Sequence, residues 1–348
     1  MKTETFVFRR EIRSKKPLLL IALFLAALIP LEAAATITNT TTFASGTAVN
    51  GTAPDSIALT HDSVWVAYTD GADSTGLSGS SVVAQYDYTG KLLQKLSFPG
   101  YVDGLRYDDE RGLIWVLVNQ DGNSVLTLID LKGNQTNYAY AVKSATRGYD
   151  DVAFINGAIF MSYTNPVNAS DATIQYMTGV NPITFATILT MGATGTNLAT
   201  GQTNQLTTDT DTDSLVVTPF GGLMLTSGAD GQLIFVNNLE NPTPSVSFLQ
   251  LLDTTGKNVT NLDDAAFVLS PSGSFYVADT GNNRVLKVDV TGLTPMSLYA
   301  SVGSENAVAS VDLPTGTATP FITTSGGTTL NAPHGLGFAP NFNSLFGK

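Results

Sequence analysis

The stretch Phe275-Tyr-Val-Ala-Asp279-Thr-Gly281-Asn-Asn283-Arg284-Val-Leu-Lys-Val-Asp289 reads as two β-strands joined by a polar turn. Apolar residues run up to Asp279, the turn holds Gly281 and two asparagines, and alternation resumes at Arg284. Period-two patterning predicts strands, and Asp, Asn and Gly are the residues that bond or relax a tight turn. Five other stretches share this form: VWVAYTDG…SSVVAQYD (64–87), IWVLVNQDGNSVLTLID (114–130), IFMSYTNP…ATIQYM (159–177), LMLTSGADGQLIFVN (223–237) and LYASVGSENAVASVD (298–312). Six copies make the hairpin a repeat.

A second element precedes most of them: PDSIAL (54–59), VDGLRY (102–107), YDDVAF (149–154), TDSLVV (212–217), LDDAAF (262–267) and PHGLGF (333–338). The first five begin around Asp55, Asp103, Asp150, Asp213 and Asp263, spaced 48, 47, 63 and 50 residues apart. A fourth strand follows several hairpins, at 91–98, 136–142, 183–189 and 246–252. Four strands in about 50 residues, repeated, predict an all-β fold, a β-propeller built of four-stranded blades. One such sheet leaves both faces bare, and ring closure covers each with a neighbour.

Six strand starts and six hairpins predict six blades, but the two series fall out of step after residue 290. Either residues 291–331 elaborate the fifth blade and the N-terminal segment 36–50 closes the sixth, or that region is a seventh blade. The hairpin 275–289 follows LDDAAF directly, which assigns it to the blade of Asp263 and Asp264. The Thr/Gly-rich segment 192–205 reads as a long loop on the third blade.

Residues 1–35 carry six basic residues by position 16, an apolar run at 18–29 and Ala33-Ala34-Ala35. This is the pattern of a secretory signal peptide, too short in its apolar part to span a bilayer, and it predicts a secreted, periplasmic or extracellular protein. Its removal leaves a propeller domain at 36–348 with a net charge of about −15 over 313 residues. Such a surface repels phosphate backbones and anionic lipid, so nucleic acid and acidic membranes are not expected as partners, and no stretch after the leader approaches the length of a membrane span. The chain has no cysteine, which excludes disulfides, thiolate metal sites and cysteine nucleophiles.

The pattern YVADTGNNRVLKVD resembles the NHL repeat, and the wider order of strand start and hairpin is similar to the SMP-30/gluconolactonase and streptogramin-lyase-like propellers. The resemblance implies a six-bladed propeller and leaves function open, because propellers host both binding and catalysis. Within the repeat, Asp279 and Asn282 are turn-forming residues and secondary candidates for ligand contact, with Arg284 within reach of Asp279 or Asp289.

The strand starts are the stronger candidates. In propellers of this type they open on the same face as the hairpin turns, which would gather Asp55, Asp103, Asp150 or Asp151, Asp213, Asp263 or Asp264, and His334 around one mouth of the channel. Carboxylates in that number suit a hard cation, Ca²⁺ or Mg²⁺. Asp103 in VDGL matches a metal-bearing strand start of the SMP-30 group. The Glu-Gly-Pro and Ser-Asn-Gly starts of that group are missing here, and Asp55-Ser56 stands in place of the first. PHGL resembles a strand start of streptogramin-lyase-like propellers, where an imidazole can act as general base, making His334 the catalytic candidate. His61 is expected on the opposite face. TTDTDTD (207–213) has a calcium-loop composition without the Gly and Glu of an EF-hand. No phosphate-binding loop, HExxH or GxSxG is present.

Three functions fit: a module binding a protein or small-molecule ligand on one face, which leads; a divalent-metal-dependent hydrolase or lactonase; and a lyase using His334.

Overall fold

The two-sided apolar runs and the Thr-rich strands of the sequence have different places in the structure, a computed structural model that describes residues 34–206, 212–241 and 243–341. Runs such as Ser63–Tyr68, Leu113–Val118 and Leu298–Val302 are the second strands of blades and are buried on both faces. Strands covered on both faces lose the alternation that a half-exposed sheet keeps. The outer strands, such as Leu92–Pro99 and Gln135–Tyr138, are largely exposed and rich in Gln, Lys, Thr and Asn.

Six innermost strands form the ring in chain order: Pro54–Leu59, Val102–Asp108, Tyr149–Ile155, Thr212–Val217, Leu262–Phe267 and Pro333–Pro340. Each begins an antiparallel sheet, giving six blades. Six apolar clusters lie between consecutive blades, with Trp65 and Val116 between the first and second and Phe275 and Tyr299 between the fifth and sixth. Burying each large aliphatic or aromatic side chain contributes roughly 1.5–3 kcal/mol, so the blade interfaces hold the ring together.

The mismatch after residue 290 has a topological cause. The hairpin Ser272–Asp279 and Arg284–Thr291 pairs with Pro333–Pro340, in the sixth blade, and not with Leu262–Phe267 as the sequence order suggested. Leu262–Phe267 pairs instead with Leu298–Val302, and Ala307–Asp312 and Thr317–Ile322 complete the fifth blade. The chain thus crosses to the last blade, builds its middle, and returns. The N-terminal strand Thr36–Ser45 lies along Arg284–Thr291, with Thr40 opposite Val288 and Thr42 opposite Leu286, and closes the sixth blade. Both ends of the domain therefore share one sheet, which leaves no seventh blade.

Residues 192–205 are not a loop on the third blade. Thr194–Asn197 and Thr203–Gln205 extend the outer edge of the fourth, the first of them parallel to Ser245–Gln250. The aspartates that close third strands bind their own turns: Asp87 Oδ1 accepts from Thr89 N and Lys91 N (2.9 and 3.1 Å), and Asp130 Oδ1 from Lys132 N and Asn134 N (both 2.9 Å). The signal-peptide reading and most of TTDTDTD fall outside the described residues.

Candidate functional site at the channel mouth

All six innermost strands carry the same irregularity near their start. Pro54 faces Tyr68 and Ile57 faces Val66, so three steps on one strand match two on its neighbour. The same bulge lies between Val102 and Leu105, Tyr149 and Val152, Thr212 and Leu215, Leu262 and Ala265, and Pro333 and Leu336. A bulge re-aims the extra residue and leaves it outside the ladder. It frees two residues per blade, and these form two stacked tiers around the axis.

The tier nearest the mouth is Asp55, Asp103, Asp150, Asp213, Asp263 and His334, the six candidates read from the sequence. His334 Nδ1 lies 2.7 Å from Asp55 Oδ1 and 3.1 Å from Asp263 Oδ2. Tyr101 Oη donates to Asp55 Oδ2 at 3.4 Å. Gln120, from the hairpin turn of the second blade, sets its amide 3.0 and 2.7 Å from Asp103 Oδ1 and Oδ2 and 3.2 Å from Asp150 Oδ2, and the carboxylate oxygens around it assign the nitrogen to that side. Strand starts and hairpin turns do share a face here.

Crowding of carboxylates sets the protonation of this tier. Burial, then the charge of Asp55, pushes the Asp103 carboxyl well above its usual range, and it shares hydrogen bonds with the Asp55 and Asp150 carboxyls. Burial also raises Asp263 to about 7, against the pull of the imidazolium of His334. For His334 burial works against the charge, but Asp263 and Asp55 outweigh it and raise the ring to about 10.

The second tier is Ser56, Gly104, Asp151, Ser214, Asp264 and Gly335, and it braces the ring. Ser56 Oγ accepts from Leu105 N (3.2 Å), Asp151 Oδ2 from Leu215 N (2.7 Å) and Asp264 Oδ2 from Leu336 N (3.1 Å). Blades one, three and five thus hold blades two, four and six. Two glycines permit the close approach: a Cβ on Gly104 would stand 1.9 Å from the Asp150 carbonyl oxygen, and one on Gly335 1.9 Å from that of Asp55.

Arg106 spans the channel beneath this tier. Its Nε donates to Asp151 Oδ1 at 2.8 Å, and its Nη2 to Asp151 Oδ2, Asp264 Oδ1 and Ser214 Oγ at 2.5, 2.7 and 2.9 Å. One guanidinium from the second blade therefore ties the third, fourth and fifth. A cavity of about 10 Å³, the threshold for a single water or ion, remains between the tiers.

Arg106 was missed in the sequence, as were Tyr101 and Gln120. Its signal was there: in the column Ala58, Arg106, Ala153, Val216, Ala266 and Gly337 it is the one large and charged residue. Asp279 and Asn282 lie outside the tiers. Asp279 is fully buried and accepts from Asn282 Nδ2 (2.9 Å), Arg284 Nε (2.6 Å) and Asn331 N (2.8 Å), so its carboxylate is engaged by its own turn and by the segment leading into Pro333–Pro340. His61 is exposed at the far face and pairs with Asp109 at 2.8 Å.

No family model and no curated protein matches the chain. Solved structures do resemble it. A streptogramin B lyase is 13% identical with a TM-score of 0.48, over 83% of this chain and 91% of that one. The periplasmic gluconolactonase of Pseudomonas aeruginosa is 10% identical with a TM-score of 0.47, over 82% and 88%. Virginiamycin B lyase from Staphylococcus aureus is 12% identical with a TM-score of 0.43, over 83% and 78%. At these identities and TM-scores the likenesses assign this chain neither family nor function; its own strand order makes it a six-bladed β-propeller.

Proposed function

We propose that the protein is a ligand-binding propeller whose channel mouth takes a divalent cation at Asp55, Asp263 and His334. The observation that carries this reading is the charge balance of the two tiers, where among the described residues seven aspartates are accompanied by two basic side chains, Arg106 and His334. Arg106 is already engaged below, so the mouth is left strongly negative and attracts cations.

The donor atoms suit the group. One ligand atom from each of Asp55, Asp263 and His334 lies within 4.8 Å of the others. Donors that share a first-row ion at about 2.1 Å stand roughly 3 Å apart, close to the two imidazole–carboxylate separations. An imidazole nitrogen beside carboxylate oxygens favours an ion of the Zn²⁺ or Mn²⁺ kind over Ca²⁺ or Mg²⁺. A cation there would supply an electrophile for a ligand oxygen. The chain's own residues do the rest: Tyr101 offers a hydroxyl donor, and Gln120 fixes the carboxylates of two blades.

Calorimetric titration with Mn²⁺ tests this. One site is expected, with affinity lowered at least 100-fold in Asp55→Asn and in His334→Ala. Absence of binding, or binding unchanged by both substitutions, would falsify it.

A second reading is catalytic. His334 has Nδ1 clamped by two carboxylates while Nε2 has no protein partner among the described residues, the arrangement that orients an acid–base imidazole. Held as an imidazolium, it would donate a proton at neutral pH. Turnover of lactones that is lost in His334→Gln supports this reading, and turnover that survives the change removes it.

A further inference from the structure

Beyond Arg106 the channel changes character. No residue lines both the cavity between the tiers and the one on the far side. The far cavity holds about 720 Å³, within the range of small-molecule sites, and all six innermost strands contribute to it. Its deep part is walled by small side chains, Ala58, Ala153, Val216, Ala266 and Gly337, with Arg106 as the floor. Its opening is a collar of larger, partly exposed ones: Leu59, Tyr107, Phe154, Val217, Phe267 and Phe338.

The exposed charged residues that line this opening are acidic. Asp109, with His61 at 2.8 Å, and Glu110 line it, while Asp108 is buried and paired with Arg111 at 2.7 Å. Among the described residues the basic one lining the cavity is Arg106, buried at the floor and spent on Asp151 and Asp264. The collar feels that field: burial first, then Asp109 and Asp62, raises the Tyr107 phenol. Aromatic faces beside carboxylates attract an organic cation, because the face of the ring carries partial negative charge. An apolar wall behind them takes the body of the same molecule. Leu59, Tyr107, Asp109 and Phe338 also line an adjoining recess of about 1190 Å³ between the sixth and first blades, so a longer body has room to extend.

We propose that the far funnel is a second site, for an organic cation with an apolar body, such as an arylalkylammonium, seated with its ammonium at the Tyr107–Phe154–Phe267–Phe338 collar. It is independent of the mouth, from which Arg106 and the second tier separate it.

The test uses benzyltriethylammonium, benzyl alcohol and benzenesulfonate on the full chain, followed by calorimetry and by tryptophan fluorescence. Trp115 lies 5.3 Å from Phe154, ring centre to ring centre, and reports on the collar. The cation is expected to bind at least tenfold more tightly than the neutral probe, with no binding of the anion. Phe267→Ala should weaken the cation about tenfold while leaving Mn²⁺ binding at the mouth unchanged. Asp109→Asn with Glu110→Gln should reduce the preference for the cation over the alcohol. If Phe267→Ala melts early, Ala266→Val, which narrows the funnel, takes its place with the same expected loss. Equal binding of the three probes, no binding at millimolar concentration, or affinity untouched by the collar and wall substitutions overturns the proposal.

Discussion

The two halves of the channel are built from the same six strands and differ in one respect, the pairing of the backbone. On the mouth side, the bulge releases two successive residues per blade, and twelve positions become available for polar chemistry. On the far side the ladder is regular, successive residues return to opposite faces, and the wall is what a sheet edge with small side chains leaves open. One half is crowded with carboxylates that hold protons and neighbours. The other is apolar, with charge only at its opening. Arg106 lies at the boundary, and its partners are all on the mouth side.

The largest effect on this division should come from Arg106→Met. It leaves Asp151 and Asp264 buried without their cation, and breaking such a buried pair costs roughly 3–5 kcal/mol. Chemical denaturation should show that loss, with Arg106→Lys recovering only part of it because one ammonium cannot reproduce the planar fork. A stability change under 1 kcal/mol in Arg106→Met would mean that the guanidinium does not hold the blades together.

A smaller effect is expected from Gly335→Ala. The new Cβ has no room beside the Asp55 carbonyl, so the first and sixth blades must part, at a cost of about 1–3 kcal/mol. His334 is the next residue, and Mn²⁺ affinity at the mouth should fall with stability, while the organic-cation site keeps its affinity. Loss at both sites together would show that the two halves are coupled through the ring.

The mildest test is pH. Asp263 has a folded value of about 7 and His334 of about 10, both above their ordinary values. In each case the folded protein binds more protons than the unfolded chain. Stability is therefore lost as pH rises, between about 4 and 7 through Asp263 and between about 6.5 and 10 through His334. With a chelator present, the melting temperature should decline from pH 5 to pH 9. Asp263→Asn should flatten the acid part of that slope and His334→Gln the alkaline part. A melting temperature that rises across this range contradicts the protonation assigned to the mouth.

Much of the mouth was legible in the sequence because it is a column. Asp55, Asp103, Asp150, Asp213, Asp263 and His334 stand at one position of a repeat, and the ring brings equivalent positions to one height. The partners were not legible in the same way. Gln120 comes from a hairpin turn and Tyr101 from a connection, where loop lengths vary and no column forms. The pairing of Asp279 with Arg284 was readable because both lie on one hairpin, five residues apart.

By itself the sequence determined the all-β class, the four-stranded unit, its approximate sixfold repetition and the acidic ring, since each depends on local periodicity and on residue types at repeated positions. The tertiary structure alone decided which blade owns the hairpin 272–291. The hairpin pairs on one edge with Pro333–Pro340 and on the other with the N-terminal strand Thr36–Ser45, and both lie outside its local sequence. The tertiary structure also decided that one arginine would divide the channel, because the distance Arg106 spans lies across the ring and not along the chain.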